Sequence, residues 1–278
     1  MRMAELGRYN NLKIIRRTEF GVFVDGGELG DILLPRKYAL DSMQPGDQLQ
    51  LFIYNDSEDR IVATTLKPAT QVGECAYLRV VGTSRYGAFM DWGLPKDLLV
   101  PFSEQQKPMQ QGYSYMVYTF VDESTQRIAA STRLEHHLSL EASHYRAGQS
   151  VTLQIYARSD LGFKAIVDGH YLGQLYDNET FQHLHFGESL PGYIKRMRSD
   201  GRIDLVLTQP SAQQQDLLGD AIIEHLRQHD GVSRLTDKSP PDDIYRTFGV
   251  SKANYKKALG KLYKRQRILI EKHQITLL

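Results

Sequence analysis

Cysteine is nearly missing. Cys75 stands alone in 278 residues, which rules out an internal disulfide and any cysteine-based zinc cluster. A small buried side chain is the expected role for it. No apolar run approaches the roughly 18 residues of a membrane span. The opening residues Met-Arg-Met-Ala-Glu-Leu-Gly-Arg mix charge into every short apolar stretch, so they are not expected to act as a signal peptide, and the cytoplasm is the expected compartment. Also missing are a Gly-x-Ser-x-Gly nucleophile, a His-Glu-x-x-His zinc helix and a Walker lysine. "DGGELG" (25–30) has the glycine density of a phosphate loop but lacks its Lys-Ser/Thr, so it reads as a hairpin turn. His136, His137, His144, His183 and His185 cluster loosely, yet no carboxylate pair or cysteine set completes a metal site among them. Surface or linker histidines are expected, with no metal, no cofactor and no enzymatic activity.

A surplus of one charge sign is missing too. The formal net charge is only +1, so the whole molecule does not advertise a polyanionic ligand. Its distribution is uneven. Residues 1–72 carry −1, 73–134 carry 0, 135–210 carry −2 and 211–278 carry +4, so an electrostatic footprint is sought first at the C-terminal end. The 41% hydrophobic and 24% charged content is that of an ordinary folded protein, and the length calls for two or more compact units.

What is present is a repeat. "EFGVFVDGGELGDILLP" (19–35) superimposes on "RYGAFMDWGLPKDLLVP" (85–101) without a gap. Phe20, Gly21, Phe23, Asp25, Gly27, Asp31, Leu33 and Pro35 fall on Tyr86, Gly87, Phe89, Asp91, Gly93, Asp97, Leu99 and Pro101, each 66 residues on. Two extended segments around a polar, glycine-rich centre predict a β-hairpin. A weaker third copy, "GFKAIVDGHYLGQLYDN" (162–178), aligns at an offset of 143, which sets Phe163 on Phe20 and Lys164 on Gly21. Each copy closes alike, with "DRIVATTLKP" (59–68), "QRIAASTRLE" (126–135) and "GRIDLVLTQP" (201–210), each preceded by a strand and a polar turn. Strand, hairpin, link and closing hairpin make five strands in about 65 residues, the size and order of an OB-fold barrel.

After Pro210 the period changes. Leu217, Leu218, Ala221, Ile222 and Leu226 recur at helical spacing, and Gly231 ends that helix. Prolines with acidic residues behind them in "SPPDDIYRTF" start a second helix, and Ser251 caps a third. "ILIEKHQITLL" reads as a closing β-hairpin. The fold expected is therefore mainly β with a C-terminal α+β domain: three tandem five-stranded OB barrels at 1–70, 71–138 and 139–210, then a winged helix-turn-helix at 211–278.

An aromatic-Gly-x-aromatic run, an acidic residue, a Leu-rich second strand and an Arg-Ile closing strand resemble the S1 RNA-binding domain. Three such units before a winged helix resemble the bacterial conserved virulence factor B (CvfB) family over essentially the whole chain. The S1 resemblance implies an RNA face made of Phe20, Phe23, Asp56 and Arg60 in the first copy, Tyr86, Phe89 and Arg127 in the second, and Phe163 and Arg202 in the third. The family's histidine position holds Pro35, Pro101 and Asn178.

Elementary physics adds to this. Aromatic platforms in a basic groove bind single strands, each stacked base contributing roughly 1–3 kcal/mol. Strict strand alternation sends residues three apart to opposite faces. Either a bulge at Gly21 or Gly87 brings both aromatics to one face, or one aromatic of each pair is core. The third copy carries Lys164, Lys195, Arg196, Arg198 and Arg202, a candidate phosphate-binding set or a solvated rim. On the third C-terminal helix Tyr255, Leu259 and Leu262 share one face, while Lys257, Lys261, Lys264 and Arg265 fall opposite, with Lys256 at the edge. That is where a recognition helix meets nucleic acid, and lysines contact phosphate more than base. The expected function is a non-enzymatic regulator that binds extended single-stranded RNA and acts after transcription. The alternatives are a DNA-binding regulator using the winged helix, and a protein scaffold in a translation or RNA-decay complex.

Overall fold

The computed structural model describes residues 4–139, 144–177, 180, 183–208 and 212–278, without the side chains of 212–217. Asn178, Pro210 and the Leu217 side chain, all named above, lie outside the described residues. The chain divides into two compact units, residues 1–137 and 138–278.

Unit one begins with β1 (Tyr9–Thr18), β2 (Gly21–Asp25), β3 (Asp31–Pro35), β4 (Gln48–Asn55) and β5 (Ile61–Thr64). They close into a barrel in the order β1-β2-β3-β5-β4, with β3 and β5 parallel through Leu33 and Val62. This is the OB order. The long first strand serves two neighbours: Tyr9–Lys13 pair with β4, and Ile14–Thr18 pair with β2. Within the second half the ladder skips Ile15, a bulge that bends the strand around the barrel.

The next five strands, β6 (Cys75–Ser84), β7 (Gly87–Asp91), β8 (Leu98–Pro101), β9 (Ser114–Asp122) and β10 (Arg127–Ser131), repeat the order, with the bulge at Val81. Among the described residues no hydrogen-bonded ladder joins β8 to β10, though the two strands lie side by side as β3 and β5 do, so the second barrel has a packed seam where the first has its parallel pair. Cys75 is half-buried at the start of β6, more open than expected, and burial pushes its thiol up to about 12, which leaves it unreactive at neutral pH.

The two barrels share one core. Phe52, Tyr54 and Val62 of the first pack with Trp92, Leu94, Leu98 and Met90 of the second. Trp92 meets Phe52 edge-on at 5.8 Å and donates its indole N–H to the Lys96 carbonyl at 2.7 Å. A Trp or Phe truncated in such a place costs about 3–5 kcal/mol, so this joint is firm.

Unit two holds a third barrel: β11 (Ser150–Ser159), β12 (Gly162–Val167), β13 (Tyr171–Tyr176), β14 (Ser189–Met197) and β15 (Ile203–Val206), closed in the same order with β13 and β15 parallel. The first-strand bulge recurs at Tyr156. The winged helix follows with α1 (Ala212–Gln228), β16 (Val232–Ser233), α2 (Pro241–Phe248), α3 (Lys252–Lys264), β17 (Ile268–Ile270) and β18 (Ile275–Leu277). Leu218, Ile222, Ile223 and Leu226 of α1 are buried against Ile244, Tyr255, Leu259 and Leu262, while Ala221, expected inside, is exposed. Pro240 and Pro241 open α2, with Asp242 and Asp243 in its first turn. Ser251 caps α3, its hydroxyl accepting from the Asn254 N–H at 3.1 Å. Gly249 supplies the left-handed turn between α2 and α3.

Candidate nucleic-acid interface

The repeated hairpins explain where the aromatics go. Glu19-Phe20 and Arg85-Tyr86 form two-residue turns ahead of β2 and β7, so Phe20 and Tyr86 stand outside the strand pleat. Phe20 is 66% exposed and Tyr86 59%. The expected bulge at Gly21 or Gly87 does not occur; the bulges are at Ile15 and Val81 on the partner strand. Nor is one aromatic of each pair core, since Phe23 and Phe89 are half-buried on the outer side of their strands.

The glycines do a different job. Gly21, Gly87 and Gly162 have φ of +144°, +147° and +138°, and an added Cβ would lie 2.1, 2.1 and 2.2 Å from the carbonyl oxygens of Leu34, Val100 and Leu175. Glycine is needed here because neighbouring backbone comes too close for any side chain. The close approach is strand on strand, not strand on ligand.

The same geometry corrects the third copy. Gly162 pairs with Ser159 and Tyr176 as Gly21 pairs with Thr18 and Pro35, so the true offset is 141. Leu161, not Phe163, then occupies the place of Phe20, and Lys164 occupies that of Phe23. Phe163 takes the position of Val22 and packs against the barrel core with Arg158 over its ring at 4.4 Å. Tyr176 rather than Asn178 matches Pro35.

In unit one the side chains gather around two adjoining clefts. The larger, about 840 Å³, lies along the seam between β8 and β10 of the second barrel and is lined by Tyr86, Phe89, Trp92, Lys96, Leu99 and Arg127 together with Asp59 of the first barrel. The smaller, about 300 Å³, is lined by Tyr38, Tyr54, Asp56 and Arg60, and it shares Ser57, Pro95 and Lys96 with the larger. Tyr86, Phe89 and Arg127 are thus brought together. Asp56 and Arg60 are also together, but Phe20 and Phe23 do not line their cleft.

One position separates the two barrels. Opposite Phe23 on β1 stands Arg16, whose guanidinium covers the ring at 3.9 Å and is held there by Asp31 at 2.9 Å. Opposite Phe89 on β6 stands Gly82, with open space where its Cβ would be. Both rings are half-buried, but the first is roofed by a cation and the second is bare of any side chain from the residue opposite.

Ion pairs hold the cations of these clefts. Arg60 donates twice to Asp56, at 2.9 and 2.7 Å, and reaches Glu58 at 2.8 Å. Burial raises the Asp56 carboxyl, but the Arg60 side chain and the backbone N–H groups of Arg60 and Glu58 outweigh it and hold the group below the usual range. Asp59 bridges Lys96 at 2.7 Å and Arg127 at 2.6 Å. Gly82, Lys96 and Asp59 are absent from the sequence-based site. Setting the copies residue against residue exposes two of them, because Arg16 falls on Gly82 and Gly30 on Lys96 at the same offset of 66.

In the third barrel Arg196 bonds the buried Asp204 at 2.5 Å, which also accepts from the Tyr176 hydroxyl at 3.0 Å, and Arg198 pairs with Asp200 at 3.0 Å. Arg202 is exposed, while Lys164 and Lys195 are half-buried with partners of their own. In α3, Tyr255, Ala258, Leu259 and Leu262 are buried. Lys256, Lys257, Lys264 and Arg265 are exposed on the outer side, and Lys261 is half-buried. The histidines are scattered: His137 stacks between Tyr118 and Phe120, His144 packs on Tyr145 and Tyr171, and His136, His183 and His185 lie at the surface.

Residues 6–66 match the S1 domain family, and residues 220–277 match the CvfB-like winged helix domain. Conserved virulence factor B of Staphylococcus epidermidis is 26% identical over 244 residues, covering 85% of this chain and 82% of that protein. The chain is similar to the conserved virulence factor B family over most of its length. The uncharacterized protein YitL of Bacillus subtilis is 28% identical over 274 residues, 95% of this chain and 91% of its own length. A multidomain protein with nucleic acid binding domains from Streptococcus pneumoniae TIGR4 is 24% identical, covers 98% of each chain and superimposes with a TM-score of 0.41. Both matched domain types belong to nucleic-acid-binding, non-catalytic families, which indicates a nucleic acid as the partner class. Among the described residues no helix is long and apolar enough to cross a membrane.

Proposed function

We propose that this protein binds extended single-stranded RNA without cleaving it and acts in post-transcriptional regulation. The observation that carries the reading is the seam cleft of the second barrel, where the bare ring of Phe89, the exposed Tyr86 and the cation of Arg127 line one groove. Stacking platforms beside a cation are what a single strand needs: each unpaired base offers a face and each phosphate a charge. A duplex hides those faces, so the cleft favours unpaired strands. The other barrels and the lysines of α3 add weak contacts, and linked weak sites on one chain multiply into useful affinity.

The test is a salt titration of binding to a 12-residue oligouridylate, for the wild type and for Tyr86→Ala/Phe89→Ala. The wild type is expected to bind with log K falling steeply against log salt, by about 0.7 per phosphate neutralised. The double variant is expected to lose about 1–3 kcal/mol per stacked base with its salt slope unchanged. Absence of binding, or equal binding by the variant, overturns the proposal. Preference for a duplex competitor over the single strand moves the function to DNA and the winged helix.

A further inference from the structure

We propose that Lys96 and Arg127 form a phosphate seat in the seam cleft, and that the carboxylate of Asp59 occupies this seat until an entering RNA strand displaces it. The inference rests on the RNA reading of the cleft and adds to it a site and a competitor within the chain.

Three observations support it. First, the two cations come from the two edges of the seam, one from the loop ahead of β8 and one from the start of β10, and they converge on a single acceptor. Lys96 Nζ is 2.7 Å from Asp59 Oδ1 and Arg127 Nη2 is 2.6 Å from Oδ2. A carboxylate clamped by one cation on each oxygen mimics the two non-bridging oxygens of a phosphodiester. Second, all three residues line the cleft that holds Tyr86 and Phe89, and the Asp59 side chain keeps 40% of its exposure. A strand stacked on those rings runs its backbone past the seat. Third, Asp59 is presented by the β4–β5 hairpin of the first barrel with φ of +63°, a left-handed turn conformation that aspartate adopts more readily than most residues. The turn brings the Asp59 side chain to the seam, and Lys96 is tethered there by donating to the Asp56 carbonyl at 2.8 Å.

The charges of the cleft favour displacement over simple addition. Its lining carries Lys96 and Arg127 against Asp59, Asp97 and Asp122. Asp122 is engaged in its own turn, accepting from the N–H groups of Ser124 and Thr125. The Asp97 carboxyl is pushed up by burial and by Asp91. Asp59 is therefore the acid that neutralises the two cations, and a phosphate must replace it to use them. Binding so arranged rejects lone weak anions and accepts a strand whose bases contribute stacking as well.

The experiment measures 12-residue oligouridylate binding by the full chain and by Asp59→Asn, with emission of Trp92 reporting the joint between the barrels. Asparagine keeps the size of the side chain and one acceptor oxygen, puts a donor in place of the other, and removes the charge. Asp59→Asn is expected to bind about three- to tenfold tighter at moderate salt, the range open to two partly exposed ion pairs. Its slope of log K against log salt is expected to steepen by about 0.7–1.4, one or two further phosphate contacts. Equal or weaker binding with unchanged Trp92 emission overturns the seat and leaves the RNA reading standing. Absence of binding by both proteins overturns the RNA reading and the seat with it. If Trp92 emission changes, Lys96→Met decides: about threefold weaker binding supports the seat, and unchanged or tighter binding identifies the Asp59 bridge as structural only.

Discussion

At the scale of single residues, the deciding positions are glycines. Gly87 begins β7 beneath the Val100 carbonyl, at φ of +147°. An alanine there meets both a forbidden backbone region and a backbone oxygen that cannot move aside. Gly82, five residues earlier, has open space where its Cβ would go and no left-handed φ. Gly87→Ala is expected to destabilise unit one by about 2–3 kcal/mol and Gly82→Ala by less than about 0.5 kcal/mol, as read from urea unfolding followed through Trp92. The repeat marks Gly87 in the sequence, since Gly21 matches it. Gly82 is marked only by contrast with Arg16, so its role in leaving Phe89 bare needs the strand register.

Among the elements, the closing strand of the second barrel and the short segment after it set a pH response. His137 lies between the rings of Tyr118 and Phe120, 3.8 Å from Glu104. Burial holds its pKa below the usual histidine value, with His136 adding to that and Glu104 opposing it. The buried Nε of Arg133 sits in the same element without a partner among the described residues. A histidine whose folded pKa is lowered favours the neutral ring. The stability it supports is complete above the unfolded pKa of 6.5 and is lost as pH falls below it. Unit one is therefore expected to melt at lower temperature at pH 5.5 than at pH 7.5, with a smaller drop in His137→Phe. Asp56 and Asp59 have lowered pKa values and add losses only below the carboxylate range, outside that window. His225, also lowered by burial and by His229, belongs to the winged helix, so Trp92 emission separates the two sources.

For the whole molecule, net charge says little and its placement says more. The +4 of residues 211–278 includes Lys256, Lys257 and Lys264 on the exposed side of α3. Lysines of this kind hold phosphate without reading sequence. Replacing all three with glutamate is expected to lower affinity for single-stranded RNA about equally across sequences and to flatten the salt slope by about 0.7 for each phosphate contact removed. Unchanged affinity and slope would confine binding to the barrels. In combination with Tyr86→Ala/Phe89→Ala the losses are expected to add in free energy, as they do for linked sites without shared partners.

The sequence by itself determined the number and type of barrels, the helix order of the winged domain, its caps and its core face. Those features rest on local periodicity, turn chemistry and a repeat that the chain states twice with an unchanged spacing. The S1 resemblance also named Tyr86, Phe89 and Arg127, the two aromatics at the repeat's offset of 66 and the arginine at the start of the closing strand. Only the tertiary structure decided the rest. The bulge falls at Ile15 and Val81 because the first strand must turn to pair with two neighbours, which no local pattern in β2 or β7 records. The third copy slides by two residues because hydrogen-bond register, not residue likeness, defines equivalence. The cleft lies where β8 meets β10 and a carboxylate from one barrel reaches two cations of the next, contacts between residues 37 and 68 positions apart that only folding brings together.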